Sequence, residues 1–160
     1  LLDSIPWDDL INNYISVQKF HGDLQFDNII LSDDGSFVGL DWRHDFGGIT
    51  NSGDVYYDLA KLYGGLLMPY DKIKDEKSYS LVRTPAQIKF THATDDSLLK
   101  FVELFKVWLD IENYDFERVR LITALIYLNM APLHEEILGN VLFFKSKLML
   151  QGIYNDKQGH

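Results

Sequence analysis

The fold is decided by residues 21–42, which read HGDLQFDNIILSDDGSFVGLDW. Two short apolar runs in this stretch, 29–31 and 37–40, lie on either side of the segment SDDGS. An Asp-Gly pair between apolar runs is a strong indication of a β-hairpin, because glycine takes the positive φ of a tight turn without steric cost. The sequence therefore predicts two short strands that turn at Asp34 and Gly35.

Oxygen-bearing side chains flank this predicted hairpin. Asp23 and Asn28 precede the first strand, and Asp41 follows the second. Because a hairpin returns the chain to its starting point, we expect Asp41 to lie beside the loop that contains Asp23. Phosphoryl transfer requires a carboxylate that orients the attacking hydroxyl group and hard oxygen ligands for magnesium. Asp23, Asn28 and Asp41 provide such a set.

The order of these residues is that of a protein-kinase catalytic loop followed by its metal-binding Asp. Two substitutions differ from protein kinases, since Gly22 stands in place of Arg and Trp42 in place of Phe. With these differences the pattern HGDL...N...DW...GD...YDLA, which covers about residues 21–60, resembles the aminoglycoside phosphotransferase and choline kinase family. The residues after Thr94 carry no signature of that family.

The resemblance implies an ATP-dependent kinase of small molecules, with GTP left open as a donor and Mg²⁺ as cofactor. Asp23 would be the catalytic base, while Asn28 and Asp41 would hold magnesium and the nucleotide phosphates. Asp58 would accept hydrogen bonds from the backbone of the catalytic loop, and His21 would brace that loop. The acceptor would be a small hydroxylated molecule, either sugar-like, an amino-alcohol or an aminoglycoside, and we place a sugar-like acceptor first.

Several other polar residues have more than one interpretation. Asp54 is either the N-cap of the helix that follows it or a further member of the site, and its position favours the cap. Residues 43–45, Arg-His-Asp, either face substrate or phosphate or belong to a solvated loop. His134 is a lone histidine at a predicted helix start, which is typical of a surface or capping residue, so we do not count it as a site residue.

Apolar periodicity predicts a mostly helical α+β fold, similar to the C-terminal lobe of a protein-kinase-like fold and forming one domain over residues 1–160. The spacing of apolar residues predicts helices over 7–17, from Asp54 onward, 95–109, 115–130 and 134–150. A second strand pair is expected at 79–82 and 88–90, after a loop at 69–76. Helix 115–130 is apolar almost all round and should be central to the bundle.

Members of the family carry a strand-rich lobe, with a phosphate-covering loop and a strand lysine, before the first of these helices. Neither G-x-G-x-x-G nor G-x-x-x-x-G-K-[ST] occurs in residues 1–160. We therefore expect this chain to be a C-terminal catalytic lobe without its N-terminal nucleotide-binding lobe, and to be a poor nucleotide binder alone.

Composition limits the alternatives. A chain of 160 residues with 46% apolar residues can form one globular core, and a net charge of -9 opposes binding to nucleic acid or to an anionic membrane. The absence of cysteine excludes disulfides and thiolate metal ligands, which suits a cytoplasmic location. The longest apolar segment, 121–133, is too short to span a bilayer. Nothing in the sequence indicates an oligomeric state.

Two other functions remain open at the level of sequence. One is a metal-dependent phosphohydrolase, in which two metals would be held by a set of seven polar residues around the hairpin: His21, Asp23, Asp27, Asn28, Asp41, His44 and Asp45. Its weakness is that an almost wholly oxygen-based set suits magnesium better than the metals that prefer histidine. The other is a non-catalytic, pseudokinase-like binding module that keeps the fold without the chemistry.

Overall fold

The computed structural model describes residues 1–69, 79–92 and 96–158. Five α-helices lie in these ranges: α1 (Trp7–Asn12), α2 (Val55–Leu67), α3 (Asp96–Ile111), α4 (Phe116–Met130) and α5 (Glu136–Gln158). Six short strands accompany them: β1 (Ser16–Val17), β2 (Ile29–Leu31), β3 (Phe37–Gly39), β4 (Gly53–Asp54), β5 (Tyr79–Arg83) and β6 (Ile88–His92). The predicted mostly helical α+β class is confirmed. Most of the predicted loop at 69–76 lies outside the described residues.

The strands form small antiparallel pairs, β1 with β4, β2 with β3 and β5 with β6. The predicted hairpin is present, with Ile29 opposite Gly39 and Leu31 opposite Phe37. Gly35 has φ +81° in its turn, and the Asp34 carboxylate accepts a hydrogen bond of 2.9 Å from the backbone N–H of Ser36. The second predicted pair, β5 and β6, is also confirmed.

Helix α4 is the centre of the helical bundle, as its apolar composition predicted. It packs against α5, α2 and α3. Polar groups at these contacts are paired, since the Tyr127 hydroxyl donates to the Gly64 carbonyl at 2.7 Å and the Thr123 hydroxyl to the Ala60 carbonyl at 3.0 Å. A Cβ atom on Gly64 would lie 3.2 Å from the Tyr127 oxygen, so glycine permits the close approach of α2 and α4.

The predicted helix over 7–17 is wrong in its second half. Helix α1 ends at Asn12, and Ser16 and Val17 instead form strand β1 opposite Asp54 and Gly53. Isolated helices of this length are marginal, and tertiary pairing overrides a weak helical preference. Residues 16–17, which were expected to continue the first helix, instead pair with the two residues that precede α2.

Other element boundaries differ less from the predictions. Pro132 separates α4 from α5, as expected, within a 3₁₀ turn over Ala131–Leu133. Helix α5 begins at Glu136 rather than at residue 134, and it continues to Gln158 rather than ending near residue 150. None of the helices in the described ranges combines the length and the apolar character needed to cross a membrane.

Candidate active site

The loop that precedes β2 is anchored to helix α2 by a buried carboxylate. Asp58 is only 6% exposed, and its two oxygens accept hydrogen bonds from the backbone N–H groups of His21 at 2.8 Å and Gly22 at 2.9 Å. Burial raises the pKa of Asp58, and these hydrogen bonds oppose that increase. The prediction that Asp58 holds the backbone of the loop is confirmed.

His21 has a packing role in the loop. Its side chain is buried, and its ring lies against Trp42 with the ring centroids 4.8 Å apart. Nδ1 accepts a hydrogen bond of 3.3 Å from the backbone N–H of Asp23. The expectation that His21 braces the loop is therefore confirmed.

The carboxylate of Asp23 lies within a dense set of donors. Lys61 Nζ lies 2.7 Å from Oδ1, and Gln25 Nε2 donates to the same oxygen at 2.8 Å. Burial raises the pKa of Asp23, but the hydrogen bonds from Lys61 and Gln25 lower it by more, so the pKa lies below its ordinary value. Asp23 is consequently ionised at neutral pH.

Lys61 is a site residue that the sequence analysis missed. It lies on α2 one helical turn after Asp58, and its side chain is 5% exposed. A lysine is seldom buried unless its charge is paired, and Asp23 provides that pairing here. The sequence did contain one indication of Lys61. It directly follows the pattern YDLA and so lies three residues after Asp58, a spacing that puts both side chains on the same face of a helix.

Asn28 is joined to Asp23 directly. Its Nδ2 donates to the backbone carbonyl of Asp23 at 2.9 Å and more weakly to the carboxylate, at 3.4 Å. The amide nitrogen of Asn28 is therefore occupied by hydrogen bonds to Asp23, and the amide oxygen is the group that can bind a cation. An oxygen ligand of this type fits Mg²⁺.

Asp41 is brought back to the loop through its backbone neighbours. The N–H of Leu40 donates to the Asn28 carbonyl at 2.8 Å, and the N–H of Arg43 donates to the His21 carbonyl at 2.9 Å. Asp41 itself has φ +54°, and its exposed side chain makes no hydrogen bond or ion pair within the described ranges. The hairpin thus brings the three residues to one end of the loop, but only Asp23 and Asn28 are in direct contact. Their roles in metal binding and catalysis stay predictions.

The described part of the chain contains no group of three or more His, Cys, Asp or Glu side chains arranged to hold a metal ion. A two-metal phosphohydrolase would require such a group, so the structure offers this alternative no support. The predicted magnesium pair does not require one, because it combines the amide of Asn28 with the single carboxylate of Asp41 and leaves further positions to phosphate oxygens and water.

Asp54 is the N-cap of α2, as its position predicted. Its carboxylate accepts a hydrogen bond of 3.1 Å from the N–H of Tyr56 and another of 3.2 Å from the N–H of Ile15. Arg118 lies 3.9 Å from the other carboxylate oxygen. Asp54 therefore stabilises the start of α2, and its contact with Ile15 holds the segment that leads into β1.

Residues 43–45 are all exposed, and their contact with substrate or phosphate stays a prediction. His44 and Asp45 are exposed, and Asp45 accepts a hydrogen bond of 3.2 Å from the N–H of Gly48 within the loop. The Arg43 side chain lies over Gly22, where an added Cβ would be 2.7 Å from the Arg43 Cβ. Gly22 also has φ +78°, so both its conformation and this contact exclude a larger residue.

A cavity of about 510 Å³ opens beside Asp23. Its polar lining comes from the loop, the residues after β3, α2, and the end of α4 with the turn that follows it. It consists of Asp23, Gln25, Arg43, Tyr57, Lys61, Asn129 and His134. His134, which we had not counted as a site residue, and Asn129 had no motif to identify them, since they lie more than a hundred residues from Asp23 in sequence. The cavity is large enough for a small hydroxylated molecule.

A larger cavity, of about 650 Å³, lies on the other side of the loop. Its lining is mainly apolar and includes Phe26, Leu66, Phe101 and Phe105, but it does not include Asp23, Asn28 or Asp41. The smaller cavity is therefore the better candidate for a substrate site, since it is the one that contains the Asp23 carboxylate.

No family model matches this sequence, and neither the curated proteins nor the solved structures contain a match to it.

Proposed function

We propose that this chain is the catalytic lobe of a kinase-like phosphotransferase, which moves the γ-phosphoryl group of ATP to a hydroxyl group of a small molecule. One observation carries the proposal: a loop clamped by Asp58 presents the Asp23 carboxylate to a cavity of about 510 Å³. The pattern of residues 21–60, with its resemblance to small-molecule kinases, supplies the reaction class.

Asp23 would orient the acceptor hydroxyl group. Because the pKa of Asp23 lies below its ordinary value, the carboxylate is a weak base, and its contribution comes from positioning the hydroxyl and accepting the proton late in a loose transition state. Gln25 and Lys61 fix the carboxylate through their contacts of 2.8 and 2.7 Å to Oδ1. Oδ2, whose contact with Asn28 Nδ2 is long at 3.4 Å, is the oxygen that we assign to the hydroxyl group.

Asn28 and Asp41 are the residues that would hold magnesium. A bound Mg²⁺ supplies charge neutralisation for the phosphates of the nucleotide. The amide of Asn28 is oriented for this by its donation to the Asp23 carbonyl at 2.9 Å. Lys61, with its buried ammonium group beside Asp23, is placed to stabilise negative charge on the phosphoryl group as it approaches the acceptor.

The test is phosphate transfer by the full-length protein, using labelled ATP, Mg²⁺ and a panel of sugars, amino-alcohols and aminoglycosides. We expect transfer to at least one acceptor, and we expect Asp23→Asn to lower kcat by about 10² to 10⁴. Asp27→Asn is the matched control, because Asp27 is an exposed carboxylate of the same loop and does not line the cavity of Asp23. Absence of transfer to every acceptor, or equal loss in the two variants, would refute the proposal.

A further inference from the structure

The cavity beside Asp23 contains more positive than negative charge. Arg43 and Lys61 line it, whereas Asp23 is its only acidic residue. Lys61 is already paired with Asp23 at 2.7 Å. The Arg43 side chain is exposed and forms no hydrogen bond or ion pair within the described ranges, although its charge helps to lower the pKa of Asp23. The cavity therefore holds two cations against one carboxylate.

Arg43 is fixed in this place by its own backbone and stem. Its N–H donates to the His21 carbonyl at 2.9 Å, and its Cβ, Cγ and Cδ atoms lie over Gly22, within 3.0 Å of the point that a Cβ on Gly22 would occupy. These contacts hold the stem, while the exposed guanidinium group can present paired N–H donors to a carboxylate or phosphate.

The opposite wall of the cavity is apolar. Helix α4 provides Ile122, Leu125 and Ile126, and Leu133 follows in the turn after it. Asn129 and His134 are the polar groups on this side. A ligand that fills the cavity therefore needs an apolar portion as well as a charged one.

The position of the cavity separates it from the predicted nucleotide phosphates. Asp23 lines it, but neither Asn28 nor Asp41 does. Because Asn28 and Asp41 do not line this cavity, we assign an anion bound at Arg43 to the acceptor rather than to the nucleotide.

From these observations we propose that the acceptor is an anionic amphiphile: a hydroxylated molecule with an acidic group that binds Arg43 and an apolar segment that lies against α4. This proposal rests on the proposed function in one respect: the ligand is called an acceptor because its hydroxyl group would be oriented by Asp23 for phosphorylation. The net charge of -9 taken alone would instead favour cationic acceptors such as aminoglycosides. The local charge of the cavity decides recognition because a ligand in contact is screened far less than distant surface charges.

The experiment uses three probes with the same sugar ring and the same apolar chain but different charge: hexyl glucuronide, hexyl glucoside and hexyl glucosaminide. Binding of each is measured by calorimetry without nucleotide, and phosphorylation of each is measured with ATP and Mg²⁺. We expect the glucuronide to bind about 10- to 100-fold more tightly than the glucoside, as for one charge-assisted contact, and the glucosaminide to bind most weakly.

Variants of Arg43 then locate the anion. Arg43→Gln should reduce the affinity for the glucuronide to that for the glucoside, and Arg43→Lys should restore part of the difference. Arg83→Gln is the matched control, since Arg83 is an exposed arginine of β5 that contacts Asn140 and does not line the cavity. Circular dichroism checks that each variant is folded.

The possible failures are distinguishable. Equal affinity for the three probes, no binding of any probe, or glucuronide binding unchanged by Arg43→Gln would overturn the anionic acceptor. So would a raised KM for ATP in Arg43→Gln with no change in acceptor preference, because Arg43 would then bind the donor. If Arg43-dependent binding is found but no hydroxyl group is ever phosphorylated, the anion site stands and the proposed phosphotransferase does not.

Discussion

At the scale of the residue, the site depends on two aspartates in opposite environments. Asp58 is buried and surrounded by backbone donors, and burial raises its pKa. Asp23 is partly exposed; burial raises its pKa too, but Lys61 and Gln25 outweigh that effect and lower the pKa below its ordinary value. Asp58 therefore positions the loop, and Asp23 is the charged carboxylate that the loop carries.

Asp58→Asn tests the positioning role. An amide has one oxygen to accept hydrogen bonds, so one of the two N–H groups, of His21 or Gly22, would be left unsatisfied in a buried place. We expect a loss of about 1–3 kcal/mol in the free energy of unfolding, measured by urea denaturation at neutral pH. Asp33→Asn, at an exposed aspartate in the hairpin turn, should change it by less than about 0.5 kcal/mol. Equal stability of the two variants would remove Asp58 as the anchor of the loop.

Lys61→Met tests the electrostatic role of the buried lysine. Removal of the ammonium group leaves burial as the main influence on Asp23, so the pKa of Asp23 should rise, which carboxyl ¹³C NMR titration can measure. Lys106→Met should leave that pKa unchanged, because Lys106 pairs with Glu103 on α3. An unchanged Asp23 pKa in Lys61→Met would contradict the ion pair.

The same pair determines a pH dependence of stability. Asp23 has a lower pKa in the folded protein than in the unfolded chain, so the folded state binds fewer protons in the acidic range. The stabilisation is fully present above the ordinary pKa of aspartic acid, about 3.9, and it is lost as the pH falls through the lower folded-state pKa. In Lys61→Met this part of the acid destabilisation, measured by urea denaturation across the acidic range, should be smaller, because only Gln25 and Arg43 then lower the pKa of Asp23.

At the scale of the element, helix α2 organises the site. Its N-terminal turn carries Asp58, and its next turn carries Lys61. Its start is stabilised by Asp54, which also accepts the N–H of Ile15 and so connects α2 to the segment that leads into β1. An N-cap that also joins two segments should contribute more than a cap alone.

Asp54→Ala and Asp115→Ala compare these two cases. Both residues cap a helix, since Asp115 accepts hydrogen bonds from the N–H groups of Glu117 at 2.8 Å and Arg118 at 3.3 Å. We expect each change to cost about 0.5–2 kcal/mol of unfolding free energy, with the larger cost for Asp54 because its contact with Ile15 is also lost. Urea denaturation of both variants gives the comparison, and a larger loss for Asp115→Ala would contradict it.

At the scale of the whole molecule, the candidate site lies where the loop, α2 and the end of α4 meet. The chain has 24 acidic and 15 basic residues, yet the cavity beside Asp23 contains two cations and one carboxylate. Net charge therefore describes the surface of this protein but not the cavity. The two regions differ because folding selects which few of the charged residues face the cavity.

The sequence by itself determined the hairpin and the cap at Asp54, whereas the clamp by Asp58 was predicted from the resemblance of residues 21–60 to small-molecule kinases. Each depends on neighbours in sequence or on a pattern compact enough to identify, such as Asp34-Gly35 between apolar runs. The central helix α4 could be predicted for a similar reason, since its apolar residues cover nearly all of its surface. The roles of Asp23, Asn28 and Asp41 were predicted from the same stretch and await the transfer experiment.

Only the tertiary structure decided the end of α1, the pairing of Lys61 with Asp23 and the lining of the cavity. Residues 16–17 form a strand because residues 53–54 lie beside them, which no local propensity encodes. Asn129 and His134 reach the cavity because α4 ends there. Contacts between residues far apart in sequence depend on how helices pack, and periodicity predicts the face of a helix that is buried but not the partner that covers it.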